Sequence, residues 1–370
     1  MKGSKGTVPL LQLRPQSQSD RLSLMKEFDL NTYDFELPTE YIAQHPVSPR
    51  DHARLLVVER ESRHFKDAIF YQLAEMLGKQ DVLVINETRV MAARLYGIKS
   101  STGARVEVLL LRPEGDNWIC LVRPAKRLKP GTRLEFGAGR LKAEVLADLD
   151  FDGGRLVRFY GYDDWISTLN EVGQVPLPPY INRTPRVSDW EDYQTVYARE
   201  YGSAASPTAG LHFTSQLLER IEGSGTEIVK ITLHVGLGTF RPVQATDIRQ
   251  HVMHRELYEL KPEAAARLNQ AYSAGKRIVA VGTTSVRTLE SAFDPEKGFS
   301  SGSGETGIFI YPGYHFKAVD ALITNFHLPK SSLLMLVYAF GGMELMRDAY
   351  RHAIANHYRF FSYGDAMLIL

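Results

Sequence analysis

The apolar residues of this chain change their spacing twice, and this change constrains the fold more than any other feature. Up to Arg94 and again after about Tyr162, apolar runs such as DVLVI (81–85) and RIVAVG (277–282) alternate with segments of helical spacing. Between those points, five short runs alternate apolar and polar residues and are separated by Gly, Pro, Asp and Asn. The first pattern predicts an α/β domain and the second a small barrel. We therefore expect an α/β main domain with an inserted small antiparallel β-barrel domain.

The same patterns set the expected domain boundaries. We expect residues 25–93 and 166–370 to form the α/β domain and residues 94–165 the barrel. Two further strands are expected near the C-terminus, in GIFIYPG (307–313) and DALITNF (320–326). Residues 1–24 are rich in Gly, Ser, Gln and Lys and have no periodicity or signal-peptide pattern, which predicts a vector-derived or disordered extension.

Composition limits the class of protein and its compartment. The chain has 370 residues, 44% of them hydrophobic, and a single cysteine, Cys120. This composition is typical of a soluble globular protein, and a lone cysteine indicates a reducing compartment. The longest apolar run, 333–340, is far shorter than the roughly 20 residues of a membrane helix. We expect a cytoplasmic monomer that does not contact a membrane.

Charge argues against a globally basic protein. The chain has 44 basic and 43 acidic residues; residues 1–24 hold four of the basic and one of the acidic ones, which leaves 40 against 42. A polyanionic partner would therefore need a local basic patch. The segment between two expected barrel strands supplies one, in Arg123, Lys126, Arg127, Lys129 and Arg133. Such a loop can bind phosphates or can simply be a solvated hairpin.

Polar loops follow several of the expected strands, where α/β proteins keep their functional residues. Histidines at such positions are His212, His234, His251, His254 and His327. The segment HVGLGTFRP suggests dinucleotide binding, but Arg241 stands where the third glycine is needed. His251 and His254 have helical metal-ligand spacing, but no carboxylate or cysteine pattern completes a site. We therefore expect neither a dinucleotide fold nor a metal.

The turn GTTSVR (282–287) joins a strand to a helix. Its hydroxyls can cap the helix, or its free N–H groups can bind an anion or a carboxylate. Arg287 lies near the helix start, where the helix dipole disfavours a cation, and this favours a ligand site.

Longer strings carry a family resemblance that covers about Met25 to Leu370. They include DFELPTEYIAQHP, VLVINETRVMAARL, LVRPAKRLKPGTRLEF, PLPPYI, PTAGLHFT, LHVGLGTFRPV, VGTTSVRTLES, IFIYPGYHFKAVDALITNFHLPKSSLLMLV and YRFFSYGDAMLI. In these the chain resembles the S-adenosylmethionine:tRNA ribosyltransferase-isomerases of bacterial queuosine biosynthesis. Ser206 is a small departure, because the family more often has alanine there.

The resemblance implies an enzyme that uses S-adenosylmethionine as a ribosyl donor. Its other substrate would be tRNA with a GUN anticodon carrying 7-aminomethyl-7-deazaguanine at the wobble position. The products would be epoxyqueuosine-tRNA, adenine and methionine, with no metal or bound redox cofactor. The alternatives are a non-catalytic RNA-binding protein with an α/β scaffold, which does not explain the polar loops, and an ordinary methyltransferase, which the glycine spacing opposes.

Within this resemblance we expect His212 and His234 to transfer protons, because imidazoles titrate near neutral pH. Arg241 or Arg287 would bind the methionine carboxylate. The expected substrate-binding residues are Thr208, Thr239, Arg241, Thr283, Thr284, Ser285, Arg287, Glu305, Asn325 and His327. The five cations between Arg123 and Arg133 would bind tRNA.

Overall fold

The computed structural model describes residues 27–236 and 243–370. The expected extension, residues 1–24, lies outside them. The described strands are β1 (Arg54–Glu59), β2 (His64–Ile69), β3 (Asp81–Asn86), β4 (Thr88–Val90), β5 (Arg94–Lys99), β6 (Arg105–Glu114), β7 (Asn117–Arg123), β8 (Arg133–Phe136), β9 (Leu141–Asp148), β10 (Gly154–Tyr160), β11 (Gly173–Gln174), β12 (Glu200–Ser203), β13 (Glu227–Leu233), β14 (Glu256–Leu260), β15 (Arg277–Val281), β16 (Phe293–Asp294), β17 (Gly298–Phe299), β18 (Gly302–Thr306), β19 (Ala321–Asn325) and β20 (Ala366–Ile369). The described α-helices are α1 (Leu73–Met76), α2 (Trp165–Val172), α3 (Asp189–Asp192), α4 (Ser215–Gly223), α5 (Pro262–Ser273), α6 (Gly282–Ala292), α7 (Ser332–Gly341) and α8 (Met343–Ala355).

A nine-stranded mixed sheet forms the centre of the α/β domain, in the order β18-β14-β13-β3-β15-β19-β20-β1-β2. Its four middle strands, β13, β3, β15 and β19, are parallel. Every residue of β3 is buried, which confirms the strand predicted from DVLVI. Successive side chains of a strand point to opposite faces. Val82 and Val84 accordingly join the core under α5–α8, and Leu83 and Ile85 the core under α1 and α4.

The expected barrel is present, and with the mixed sheet it confirms the predicted fold class. Strands β5-β6-β7-β10-β9-β8 are antiparallel neighbours, and β5 also pairs with β8, which closes the barrel. Closure brings the backbones of β5 and β8 together at Gly97. A side chain at this position would place its Cβ 2.3 Å from the Glu135 carbonyl oxygen. Strand β11 also pairs with β5, and Leu169 of α2 belongs to the barrel core.

One expected strand is wrong. Residues 307–313 (GIFIYPG) form no strand, and the pairing with β14 is made five residues earlier by β18, in GSGET. The reason lies in the side chains: Ile310 is buried in the main core, and the neighbouring apolar residues pack against it in irregular backbone. At Gly304 of β18, a Cβ would lie 2.9 Å from the Tyr258 ring of β14, so a larger residue there would have to displace that ring.

Candidate active site

The four parallel strands end at one edge of the sheet, where α/β proteins bind their ligands. Strand β3 leads into Glu87 and Thr88, β13 into His234, β15 into the turn at Gly282, and β19 ends at Asn325. The side-chain amide of Asn86 fixes two of these ends together. It donates to the Leu233 carbonyl at 3.0 Å and accepts from the Leu233 N–H at 3.1 Å.

A small cavity of about 30 Å³ lies at this edge. It brings together five of the residues expected to bind substrate, although they come from three separate segments of the chain. Its lining consists of Ser206, Pro207, Thr208, Ala209, Val235, Gly282, Thr283, Thr284, Thr324, Asn325, His327 and Leu333.

A larger cleft of about 650 Å³ lies between the barrel and the sheet. The barrel side contributes aromatic rings, among them Trp118 and Trp165, and the sheet side contributes His234 and Glu256. The two spaces are adjacent, because Val235 lines the small cavity while His234 and Gly236 line the cleft.

Among the described residues, the His234 ring has one hydrogen-bond partner, Thr88, and the direction of this bond can be worked out. Thr88 Oγ1 lies 3.0 Å from His234 Nδ1 and 3.4 Å from the Glu200 carbonyl oxygen. A hydroxyl has one proton, and a carbonyl can only accept, so the arrangement that satisfies both contacts has Thr88 donating to Glu200 and accepting from Nδ1–H. The His234 Nε2 then carries a lone pair. Burial lowers the pKa of His234, opposed by the Glu200 carboxylate, so the ring is neutral near pH 7.

Next to this histidine lies an ion-pair network that the sequence analysis missed. Lys261 Nζ donates to Glu200 Oε1 at 2.7 Å and to Glu87 Oε1 at 3.1 Å. The bond to Glu200 raises the pKa of Lys261 to about 12 and lowers the pKa of Glu200. One signal could have indicated Glu87 and Thr88, since they follow the end of the buried strand β3, at the edge where α/β proteins bind ligands.

His212, the other expected proton carrier, has a different environment. Asn325 Nδ2 donates to the Phe361 carbonyl at 3.0 Å, which fixes the orientation of the amide, and the same Nδ2 lies 3.0 Å from His212 Nε2. His212 Nε2 is therefore an acceptor already in use. Burial lowers the pKa of His212 to about 4, and the ring lines neither cavity. Asn325 Oδ1 in turn accepts from Thr208 Oγ1 at 3.2 Å.

Arg287 has partners within the protein. It forms an ion pair with Glu256, and the two side chains are 3% and 4% exposed. Its Nε and Nη2 donate to the carbonyls of Ile308 and Thr306 at 3.3 and 3.4 Å. Glu256 Oε1 also accepts from the Gly236 N–H at 2.9 Å, so this pair holds the backbone two residues after His234.

The remaining expected site residues are spread out. Ser285 faces its own helix, because its Oγ donates to the Val281 carbonyl at 2.7 Å. Glu305 lies on the edge strand β18, 3.5 Å from Arg255, and lines neither cavity. His327 lines the small cavity, and burial lowers its pKa to about 3. Thr239 and Arg241 lie outside the described residues.

The basic loop of the barrel is held from beneath by Arg155. This residue is 6% exposed, and it donates to the carbonyls of Ala125 and Leu128 at 2.7 Å each. Leu128 is fully buried in the barrel core. The cations of the loop are exposed and have no ion-pair partner among the described residues: Arg123, Lys126, Arg127, Lys129 and Arg133. The basic loop and the large cleft are connected at Leu121. This residue lines both the cleft and the groove that contains Arg123.

Within residues 27–236 and 243–370, no three side chains of His, Cys, Asp or Glu come together in a way that could hold a metal ion. None of the described helices has the length and apolar character needed to cross a membrane.

Parallel strands that collect histidine, hydroxyl and carboxylate groups at their carboxyl ends are typical of α/β enzymes. The inserted barrel adds an exposed basic surface, as a protein acting on a polyanion requires. Fold and site together thus define an α/β enzyme with an accessory barrel.

Comparison with known proteins identifies the family. Residues 30–369 match the family model described as queuosine biosynthesis protein. The chain is 56% identical to the S-adenosylmethionine:tRNA ribosyltransferase-isomerase of Symbiobacterium thermophilum, over 92% of this chain and 99% of that protein. It is 55% identical to the protein of the same name from Syntrophomonas wolfei, over 93% and 97%. A crystal structure of S-adenosylmethionine tRNA ribosyltransferase from Thermotoga maritima matches with 38% identity and a TM-score of 0.54, over 92% of this chain and all of that one. The chain belongs to this family.

Proposed function

We propose that this enzyme transfers and isomerises the ribosyl group of S-adenosylmethionine onto 7-aminomethyl-7-deazaguanine at the wobble position of tRNAs with GUN anticodons. The products are epoxyqueuosine-tRNA, adenine and methionine. The observation that carries the proposal is the position of His234, which lines the cleft between the sheet and the barrel and has its Nδ1 3.0 Å from Thr88 Oγ1.

The reaction needs a base in the cleft that His234 lines. The positive sulfur of S-adenosylmethionine acidifies the protons on the adjacent ribose carbon, and one of them must be removed before adenine leaves. A neutral imidazole performs this step near neutral pH. We assign it to His234. His212 then acts as a positioning residue, because its Nε2 orients the Asn325 amide that binds Thr208.

Binding of tRNA is assigned to the basic loop between Arg123 and Arg133. The support is local: five exposed cations without ion-pair partners in the described chain, on a loop that Arg155 fixes to the barrel. The groove beside Arg123 shares Leu121 with the cleft that contains His234. A tRNA bound to the loop can therefore reach the cleft with an unstacked base, as single-stranded RNA loops commonly do.

We further propose that the enzyme is a cytoplasmic monomer. Its single cysteine, Cys120, is buried as a free thiol, which suits a reducing compartment. Light scattering of the purified protein at micromolar concentration tests the monomer, and a mass twice that of the chain would contradict it.

The test of function is incubation with S-adenosylmethionine and a tRNA transcript that carries 7-aminomethyl-7-deazaguanine at the wobble position. We expect free adenine and methionine in equal amounts, and no product with guanine at that position. Formation of S-adenosylhomocysteine would identify a methyltransferase instead. Tight tRNA binding without adenine would identify a non-catalytic RNA-binding protein.

A further inference from the structure

The N-terminus of helix α6 opens into the small cavity without a cap. The helix begins at Gly282, directly after β15, and its N-cap residue, Val281, makes no side-chain capping hydrogen bond. The first N–H groups of a helix have no intrahelical partners and carry the positive end of the helix dipole. An uncapped start of this kind favours an anion.

Two buried hydroxyls at the same place also lack partners. Thr284 and Ser206 line the cavity and are 6% and 3% exposed, and neither oxygen has a hydrogen-bond partner among the described residues. Thr284 Oγ1 lies on the cavity side, close to two other residues of the lining. If Gly282 carried a Cβ, that atom would lie 3.6 Å from Thr284 Oγ1 and 3.5 Å from the Cβ of Ala209. An unsatisfied buried hydroxyl costs about 1–3 kcal/mol. A ligand that accepts hydrogen bonds here would remove that cost.

The cavity also limits the size and charge of its ligand. Its volume of about 30 Å³ corresponds to roughly two water positions, which suits the two oxygens of one carboxylate. The described lining contains no cationic side chain, since low pKa keeps His327 neutral. Among the described residues, recognition therefore depends on N–H and O–H donors, and a compact monoanion is the ligand that fits them.

We propose that the start of α6, with Thr284 as its main side-chain donor, binds the α-carboxylate in the methionyl group of S-adenosylmethionine. This proposal rests on the function proposed above. It follows from the geometry of the site, since the cavity adjoins the cleft through residues 234–236. A carboxylate at α6 directs the ribose beside the sulfonium towards His234. Ser206 is a second donor.

The test compares two ligands by calorimetry: S-adenosylmethionine, and its decarboxylated analogue with a 3-aminopropyl group. Thr284→Val keeps the shape of the side chain and removes the donor. We expect it to weaken S-adenosylmethionine binding on the order of 10- to 100-fold and to leave binding of the analogue unchanged. Thr284→Ser should restore the affinity.

The matched control is Thr232→Val. Thr232 is 2% exposed and its hydroxyl is also without a described partner, but it does not line the cavity. It should leave the affinity for both ligands unchanged.

If Thr284→Val weakens the binding of both ligands equally, or of neither, the carboxylate site is overturned. A wild-type enzyme that binds S-adenosylmethionine but releases no adenine with the modified tRNA would overturn only the proposed function, and one that binds no S-adenosylmethionine would overturn both.

Discussion

Thr88 Oγ1 and His234 Nδ1 lie 3.0 Å apart, although 146 positions separate the two residues in the chain. This contact keeps the proton on Nδ1 and leaves Nε2 free to accept one. The histidine reaches the cleft in a defined tautomer because a residue on a neighbouring strand end selects it.

We predict that Thr88→Val slows adenine release about 10-fold, because losing one hydrogen bond of about 1.4 kcal/mol lets the ring change tautomer and orientation. The measurement is single-turnover release with both substrates saturating. Affinity for S-adenosylmethionine should stay the same, and Thr88→Ser should recover most of the rate. A Thr88→Val enzyme with a wild-type rate would remove this contact from the mechanism.

Adenine release should depend on pH through His234. A base must be unprotonated, and burial lowers the pKa of His234 below 6.5. As pH falls through that pKa the imidazole becomes protonated, so the rate should be level above pH 6.5 and decrease below it. Glu200→Gln removes a charge that favours the imidazolium, and we expect the decrease to shift to lower pH. An acid limb that begins above pH 7 would assign the titration to a different group.

His212 should affect stability more than chemistry. In the unfolded chain it takes up a proton near pH 6.5, and in the folded protein only at about 4. Stability should therefore fall as pH decreases from 6.5 to 4, by about 3 kcal/mol from this residue alone. In His212→Gln, whose side-chain oxygen can accept from Asn325, unfolding should depend less on pH and adenine release should persist. A stably folded His212→Gln enzyme that releases no adenine would make His212 the base instead.

Substitution of Arg287, which forms a buried ion pair with Glu256, tests whether this arginine stabilises the fold or binds a ligand. Removing one partner leaves a buried charge, so we expect Arg287→Met to reduce the free energy of unfolding by about 3–5 kcal/mol. The exposed pair Arg351–Asp348 is the control, because its loss should cost about 1 kcal/mol or less. If Arg287 instead binds the methionine carboxylate, Arg287→Met would weaken S-adenosylmethionine binding and leave stability nearly unchanged.

The basic loop makes a prediction about salt. Changing Lys126, Arg127 and Lys129 to alanine should weaken tRNA binding and reduce its salt dependence by roughly one unit of slope per lost phosphate contact. Binding of S-adenosylmethionine should not change. Arg155→Met retains the exposed cations but loses the hydrogen bonds that hold the loop, so it should also weaken tRNA binding. Identical tRNA affinity in the triple variant at every salt concentration would exclude this loop from the interface.

Local features of the chain could be predicted from its sequence. DVLVI predicted β3 because a continuous apolar run is typical of a strand buried on both faces. The glycine and hydroxyl residues of GTTSVR predicted the turn into α6, and Gly282 has a φ of +85° there. The strand expected in GIFIYPG was wrong, because packing of Ile310 into the core and pairing with β14 outweighed local propensity.

Side-chain partners across the sheet could not be predicted. The contact of Thr88 with His234 requires β3 and β13 to be neighbours, and the ion pair of Arg287 with Glu256 requires β14 to lie on the other side of β13. Strand order is set by the whole core, and the spacing of apolar residues within one strand contains no information about it. For the same reason, the sequence could not distinguish the buried His212 from His234 in the cleft.

The pairing of β5 with β11 determines where the barrel segment leaves and rejoins the rest of the chain. Leu95 and Gly173 are direct partners in this ladder, so the barrel segment begins and ends within about 5 Å of backbone separation. The barrel and the nine-stranded sheet share no strand. A chain that gained or lost this segment would keep every hydrogen bond of that sheet. The segment thus leaves and rejoins the rest of the chain at one place, and any module joined there would have to cover Met91, Ala92, Ala93 and Ala204, which pack into the barrel core from outside that segment.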